Sequence, residues 1–106
     1  MAHKMGLKYI LGWLIAGTRG GLTRAKIIKT LKKSPCNANQ LSSILKLDYR
    51  TVRHHLDILL KNKLVTVVGE GYGQAYFVHP ILEENYVLFE QISNRIWEKE
   101  KRKKKN

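Results

Sequence analysis

The chain has 106 residues, 43% of them hydrophobic, and its 20 Lys or Arg against 8 Asp or Glu give a formal net charge of +12. This length allows one domain with a modest core, at a size where association with a second copy often adds buried surface. The charge indicates a polyanionic partner, nucleic acid first and an acidic membrane surface second. The single cysteine excludes an internal disulfide framework and predicts a reducing compartment, which we take to be the cytoplasm.

The N-terminal part, residues 1–19, contains an apolar segment at residues 5–17 with one lysine. It is shorter than the roughly twenty residues that a membrane-spanning helix needs. We expect a helix or an extended arm that packs on the domain or across a dimer, and its three glycines leave helix and strand both open. A signal peptide fits the same pattern, and peripheral membrane contact stays an alternative. Residues 18–21, TRGG, are typical of a flexible joint.

A first amphipathic helix is predicted from about Leu22 to Lys33, because apolar side chains recur on one face and basic ones are expected largely outside. The core-facing residues are Leu22, Ala25, Ile28 and Leu31, and the outward ones are Arg24, Lys26, Lys29, Lys32 and Lys33. Ser34 and Pro35 end the helix, since proline cannot continue its hydrogen-bond ladder.

Two short helices separated by a tight turn are predicted next. The first covers residues 37–45 and opens with Asn37 and Gln40 in the spacing of a capping box. The second begins after Asp48, whose carboxylate can accept from backbone N–H groups of the first turn. The turn has no glycine, which lowers the specificity of the pattern without excluding it. Helices joined in this way form a helix-turn-helix, whose second helix enters the major groove of DNA.

The second of these helices has an apolar face and a polar face. Val52, Leu56 and Leu59 recur at steps of four and three and predict the packing face. The opposite face combines arginine, tyrosine and histidine with a single acid, Asp57, and suits phosphates and base edges. A helix face that merely meets solvent would have a similar composition. The short helix immediately upstream favours the DNA-binding interpretation. The residues predicted to contact DNA, including the flanking lysines and the hairpin that follows, are Tyr49, Arg50, Thr51, Arg53, His54, Lys46, Lys61, Tyr72 and Gln74.

A β-hairpin is predicted after this helix. Residues 64–69 and 74–78 are rich in β-branched or aromatic side chains and flank the glycine-rich turn at residues 70–73. Gly71 and Gly73 would allow positive φ and close approach at its tip. We interpret the hairpin as a wing beside the second helix.

A long helix is predicted from Pro80 to about Lys99, with the proline in its first turn. Its apolar residues repeat at steps of four, three, three and four, a stripe broader than a small wing could cover. Packing on its own domain is one interpretation, and pairing with a second copy is the one we favour, because the rest of the chain offers little to bury these aromatics. The predicted dimerisation residues are Leu82, Tyr86, Phe89, Ile92, Ile96 and Trp97. Residues 99–106 form a basic tail that we expect to be disordered, either solvated or a nonspecific phosphate-binding arm.

The run NANQLSSILKLDYRTVRHHLDILLKNKLV, followed by the hairpin and the amphipathic helix, resembles an archaeal winged-helix protein of the ArsR-like type over roughly residues 20–98. The resemblance implies a compact DNA-binding domain, usually a homodimer, that acts in transcriptional regulation. The expected fold is mainly α with a small β-hairpin. Its expected parts are an N-terminal arm (1–19), a winged helix-turn-helix domain (20–79), a dimerisation helix (80–98) and the basic tail (99–106).

Neither a metal site nor a catalytic site is expected. Metal-sensing members of the resembled family use a Cys-x-Cys pair or clustered His and acidic ligands, whereas this chain has one thiol and four scattered histidines. His54 and His55 are adjacent and point about 100° apart on a helix. Cys36 is expected to be a small buried residue, and His79 a helix cap. The sequence has no P-loop or dinucleotide-binding glycine motif and its acids do not converge, so we expect neither enzyme activity nor a cofactor.

These observations predict a dimeric, sequence-specific binder of double-stranded DNA that regulates transcription, most simply as a repressor. The alternative is a winged helix used as a protein-interaction module or as a membrane-proximal assembly factor without sequence-specific DNA binding. RNA binding is a third interpretation, weakened because the sequence lacks the aromatic sheet signature of RNA-binding domains.

Overall fold

The computed structural model describes residues 4–104 as six α-helices and one two-stranded antiparallel hairpin. The elements in chain order are α1 (Lys4–Leu11), a π-helical segment (Gly12–Ala16), α2 (Gly21–Lys33), α3 (Ala38–Leu45), α4 (Tyr49–Lys61), β1 (Val65–Val68), a 3₁₀ turn (Gly71–Gly73), β2 (Ala75–Val78), α5 (Pro80–Glu84) and α6 (Tyr86–Lys104). The predicted fold class, mainly α with a small wing hairpin, is confirmed.

Helices α3 and α4 form the predicted helix-turn-helix. The capping box is complete, since the Gln40 backbone N–H donates to Asn37 Oδ1 and the Asn37 N–H donates to Gln40 Oε1, both at 2.8 Å. Asp48 caps α4 by accepting from the Arg50 N–H at 2.9 Å. Lys46 takes the left-handed conformation in the turn, with a φ of 55°. The turn thus manages without glycine by holding a lysine at positive φ, at a cost of about 1–2 kcal/mol.

The core lies where α2, α3 and α4 meet the hairpin. The packing face predicted for α4 is fully buried at Val52, Leu56 and Leu59. On α2 the predicted core residues are buried with one exception, Leu22, which is half-buried. The apolar spacing of α4 therefore predicts its packing face correctly.

The hairpin pairs Val65 with Val78, and Cys36 extends it on one side, because the Tyr76 N–H donates to the Cys36 carbonyl at 2.8 Å. Positive φ occurs at Gly69 (88°) and Gly71 (54°). Of the two turn glycines that would allow positive φ, Gly71 adopts it and Gly73 does not.

The N-terminal segment is helical and packs on the chain's own domain. Leu7, Leu11, Leu14 and Ile15 are buried, with α1 against α6 and the π-helical segment against both α2 and α6. On the outer side of this segment, the aromatic side chains of Tyr9 and Trp13 are exposed to solvent. Within residues 4–104, no helix is long and apolar enough to cross a membrane.

The predicted flexible joint at residues 18–21 is instead tightly packed. A Cβ on Gly21 would lie 1.7 Å from the Ile15 carbonyl oxygen, and a Cβ on Gly20 would lie 2.7 Å from both Arg24 Nη1 and His55 Cε1. The two glycines thus allow close approach of neighbouring groups. Adjacent glycines are also typical of flexible turns, which explains why the sequence predicted a flexible joint here.

The C-terminal helix is interrupted and longer than predicted. His79 caps α5, as expected, because its Nδ1 accepts from the Ile81 N–H at 3.1 Å. Asn85 ends α5, and its side-chain amide donates to the Ile81 carbonyl at 2.8 Å. The basic run expected to be disordered is helical as far as Lys104. Residues 105–106 of that tail, like residues 1–3 of the arm, lie outside the described residues.

The aromatic stripe of the C-terminal helix is covered within the chain. The N-terminal segment and α2 pack against α6, so that Leu82 and Phe89 are fully buried and Ile92 is 7% exposed. The expectation that the rest of the chain offers little to bury these aromatics is therefore wrong. Pairing of this helix with a second copy stays a prediction, but burial of the aromatic stripe no longer argues for it. The other three predicted dimerisation residues are half-buried: Tyr86, Ile96 and Trp97.

The contact between the N-terminal segment and α2 can be tested at Gly21. Gly21→Ala is expected to lower the free energy of unfolding by about 3 kcal/mol, since the methyl group must displace the Ile15 main chain. Gly6→Ala is the matched control, because Gly6 is exposed in α1 with open space around it. It should raise stability by about 0.5–1 kcal/mol through helix propensity. Urea unfolding followed by circular dichroism measures both, and a Gly21→Ala protein as stable as wild type would contradict the described packing.

Candidate nucleic-acid interface

The exposed face of α4 brings together most of the residues predicted to contact DNA. Tyr49, Arg50, Thr51 and His54 are all exposed, and Lys46 is exposed in the turn that precedes them. They occupy the first turn and a half of the helix, the part that meets base edges when such a helix enters a major groove. Their positions agree with a DNA-reading role, which stays a prediction.

Lys61 is separate from this group. It is exposed in the last turn of α4, eleven residues after Arg50, which places it roughly 16 Å farther along the helix axis. A phosphate contact outside the groove suits this position better than a base contact.

Arg53 differs from its neighbours because it is held toward the hairpin. Its Nη1 donates to the Tyr76 hydroxyl at 3.2 Å, and its Nη2 lies 3.9 Å from Asp57 Oδ1. Asp57 is the acid of the polar face, and it partly neutralises this arginine. In the part of the chain that the structure describes, Arg50 has no such side-chain partner. Arg50 is thus the freer of the two guanidinium groups.

Tyr76 is a site residue that sequence reasoning missed. The residue is 2% exposed, and its hydroxyl accepts a hydrogen bond from Arg53 of α4. Burial raises the pKa of the Tyr76 phenol, so it stays neutral and accepts from the arginine. Alternation along β2 could have indicated an inward side chain here, since Val78 is also buried and Phe77 is not. Its contact with α4 depends on how the hairpin packs, which the sequence does not show.

The wing presents a polar tip without a cation. Tyr72 is fully exposed and Gln74 is half-buried, and the stretch from Leu64 to His79 contains no lysine or arginine. Glu70 is exposed at the same turn. Any contact of this hairpin with a phosphate backbone therefore has to use hydroxyl, amide or main-chain donors.

Behind the polar face, a buried arginine joins α4 to the N-terminal segment. Arg24 is 4% exposed. Its Nε donates to the Leu14 carbonyl at 3.0 Å, its Nη1 lies 3.1 Å from His55 Nδ1, and its Nη2 donates to the Thr18 hydroxyl. We call these four residues the Arg24 cluster. The cluster fixes the π-helical segment, the turn after it and α4 through one guanidinium group.

The outward position predicted for Arg24 is wrong. Ile28 and Leu31 follow it at the fourth and seventh positions, so all three share one helix face, and that face is buried. The sequence contained this signal, but the charge of the side chain argued for solvent. Arginine can be buried at this point because main-chain and side-chain acceptors surround it.

The electrostatics of the cluster keep His55 neutral. Burial lowers the pKa of His55, and the charges of Arg24 and His54 lower it further. A neutral imidazole with its proton on Nε2 offers Nδ1 as the acceptor that Arg24 needs. Burial also lowers the pKa of Arg24, and no carboxylate lies within 4 Å of it among residues 6–103. An arginine remains charged even so, and its charge is stabilised by a carbonyl, a hydroxyl and an imidazole.

Potential metal ligands do not gather in the described part of the chain, where no group of three His, Cys, Asp or Glu side chains could hold an ion. Cys36 is buried, as expected, and burial raises the pKa of its thiol. A protonated, buried thiol is a poor nucleophile and a poor ligand.

Comparisons with known proteins agree with this architecture. Residues 22–67, which include the helix-turn-helix, match the family described as bacterial regulatory protein, arsR family. Among solved structures, one described as Staphylococcus aureus MarR in complex with salicylate and kanamycin is similar to this chain, with a TM-score of 0.60 and 17% sequence identity. The match covers 92% of this chain but 63% of that one, so this chain spans less than two thirds of its length. No curated protein matches. The structural likeness shows the fold, a winged helix.

Acidification should destabilise the fold through His55. The unfolded histidine titrates near pH 6.5, and the folded one below that value. Below about pH 6.5 the unfolded state therefore binds more protons, and the free energy of unfolding falls as the pH is lowered toward 5. His55→Asn keeps an acceptor for Arg24 but cannot titrate, so its stability should fall less. Urea unfolding from pH 7 to pH 5 measures this, with His54→Asn, an exposed neighbour, as control. Equal pH dependence in wild type and His55→Asn would contradict the neutral His55.

Proposed function

We propose that this protein binds double-stranded DNA through α4 and the wing and regulates transcription, most simply as a repressor that occludes a promoter. The observation that carries the proposal is the exposed row of Tyr49, Arg50, Thr51 and His54 on the second helix of a helix-turn-helix. The match of residues 22–67 to a family of regulatory proteins supports it. The basic residues around this helix supply the attraction to phosphates that all such binding needs.

The proposed DNA contacts are of two kinds, contacts to base edges and contacts to the sugar-phosphate backbone. Arg50 and Arg53 can each make paired hydrogen bonds to a guanine edge, the most common specific contact of arginine in a major groove. Lys46 precedes α4 and Lys61 lies in its last turn, and both suit phosphates, which position the protein without reading sequence. Tyr72 and Gln74 on the wing suit the sugar-phosphate backbone beside the groove. Specificity should therefore come from the two arginines.

Arg50→Ala and Arg53→Ala test the assignment of α4. Selection from a random duplex pool supplies the preferred sequence, and each variant should then lose about 1–3 kcal/mol of discrimination at one base position. Arg102→Ala removes the same charge at the far end of α6 and should weaken all sequences slightly and equally. If both α4 variants kept wild-type affinity and preference, with the fold intact by circular dichroism, DNA would have to be read elsewhere.

We also propose that the protein acts as a homodimer, with the N-terminal segment at the interface. Tyr9 is 81% exposed and Trp13 is 63% exposed, and Lys8 is the one charged side chain among residues 6–17. Tyr9 and Trp13 line the same surface pocket, and monomeric soluble proteins rarely expose large contiguous apolar patches. A two-fold dimer would hold two recognition helices about one turn of DNA apart, roughly 34 Å, and would bind a pseudo-palindromic site.

Trp13→Lys and Val87→Lys distinguish the two surfaces on which a dimer could form. Trp13 lies on the N-terminal segment and Val87, 65% exposed, lies on α6. Trp13→Lys should give a folded monomer with weaker DNA binding, because two half-sites are no longer held together, while Val87→Lys should stay dimeric. Phe89→Lys, at a fully buried position, should unfold the chain. Sedimentation equilibrium measures the association, and a wild-type chain that stays monomeric at micromolar concentration would contradict the proposal.

One observation favours the second candidate function, a protein-interaction module or membrane-proximal assembly factor. The exposed Tyr9 and Trp13 lie beside Lys8, a combination also suited to an acidic lipid surface. Gel shifts with duplex DNA and duplex RNA, together with co-sedimentation with anionic vesicles, separate the candidates. Binding to vesicles with no binding to either duplex would favour the second.

A further inference from the structure

A row of cations lies along the C-terminal half of α6. Four exposed side chains share one face of the helix there, at steps of four, three and one residues: Arg95, Lys99, Arg102 and Lys103. We call these four residues the α6 basic face. At 1.5 Å per residue the row is about 12 Å long. Arg19, in the turn after the π-helical segment, lines the same cavity as three of them and adds a fifth cation nearby.

The cations of the α6 basic face are not neutralised by neighbouring acids. The ion pairs found across residues 6–103 lie elsewhere, one between α2 and α5 and one within α4. Glu98 and Glu100 fall on either side of the basic face and not within it, because successive helical residues are about 100° apart. Helix α6 packs on the domain through Ile92 and Ile96, so the fold holds the row in place. A fixed row of like charges repels itself, and a polyanion relieves that repulsion.

The helix that carries this face is separated from α4 by α2. Arg24 of α2 lies 3.1 Å from His55 of α4, whereas Lys26 of α2 lines a pocket together with Trp97 of α6. Residues two positions apart point to nearly opposite sides of a helix. Helix α4 and the C-terminal half of α6 therefore pack on nearly opposite sides of α2, which is about 10–12 Å thick with its side chains. The α6 basic face is thus a surface distinct from the exposed face of α4.

We propose that the α6 basic face binds the phosphate backbone of a second DNA duplex, without reading its sequence, while α4 holds the first. One strand carries a charge per 3.4 Å of helix axis, so the row spans about three or four phosphates. The two arginines of the row can each donate paired hydrogen bonds to a phosphate. The protein would thereby join two segments of DNA. This joining rests on the proposed function, because α4 must hold one segment, whereas binding at the α6 basic face does not.

A nucleic acid suits this face better than a lipid surface does. Peripheral lipid binding combines cations with apolar side chains that enter the bilayer. The large apolar side chains exposed in the described part of the chain include none between residues 88 and 103. The exposed Tyr9 and Trp13 line a different pocket from the α6 cations. A purely cationic row matches phosphates that lie at a surface, as they do along a duplex.

A capture experiment on the full chain tests the second surface. The duplex selected for the wild-type protein is fixed to beads and saturated with protein, and a fluorescent duplex of unrelated sequence is then added. We expect wild type to retain the unrelated duplex. Arg95→Gln with Lys99→Gln should retain about tenfold less, with affinity for the selected duplex within about twofold of wild type. Lys33→Gln with Lys63→Gln is the control, because it removes the same charge from exposed positions outside the α6 basic face and should capture as wild type does.

Two results would overturn the proposal. The first is no capture by the wild-type protein, including the case in which vesicles of phosphatidylglycerol bind through Arg95 and Lys99 instead. The second is undiminished capture by the Arg95→Gln, Lys99→Gln protein, because capture through the α4 of a second copy does not need these cations.

The salt dependence of binding separates this proposal from the proposed function. Binding of the unrelated duplex to Arg50→Ala with Arg53→Ala is measured between about 50 and 200 mM salt. Adding Arg95→Gln and Lys99→Gln should make the slope of log K against log salt shallower by about two, one for each cation removed. An unchanged slope would overturn binding at the α6 basic face. If Arg50→Ala with Arg53→Ala kept the wild-type affinity and preference for the selected duplex, the proposed function would fail at α4, and the slope would still decide the second surface.

Discussion

The buried guanidinium group of Arg24 is the interaction on which the arrangement of this protein depends. A charge inside a protein is costly unless its donors are paired, and here the partners come from three places: the Leu14 carbonyl, the Thr18 hydroxyl and His55. None of these elements can move far without leaving the charge unpaired. The N-terminal segment is therefore part of the domain that positions α4, and the domain boundary expected near residue 19 does not separate independent units.

Helix α4 is held by an arginine hydrogen bond on each of two sides. Arg24 holds its inner side through His55, and Tyr76 of the wing receives Arg53 on its outer side. In both contacts a charged arginine donates to a neutral acceptor, and the acceptor stays neutral because it is buried. Helix α4, the wing and the N-terminal segment are thus connected by two arginines.

The features predictable from the sequence are the local ones. The capping box at Asn37, the cap at Asp48 and the buried stripe of α4 each depend on residues within one or two turns of each other, and all appear in the structure. The errors concern packing between distant segments. The sequence shows an apolar N-terminal segment and an aromatic stripe on α6, but not that each covers the other. It shows two glycines after Arg19, but not that neighbouring groups approach them too closely for a side chain.

The hydrogen bond from Arg53 to Tyr76 gives the two arginines of α4 different entropic properties. Arg53 already occupies one orientation, so it loses less rotational freedom on contact with a base than a free side chain, for which ordering costs about 0.5–1.5 kcal/mol. Arg50 keeps that freedom until it binds. One arginine would therefore favour a single base geometry and the other could adapt to several. A site read in this way would contain one strictly required position beside one that tolerates substitution.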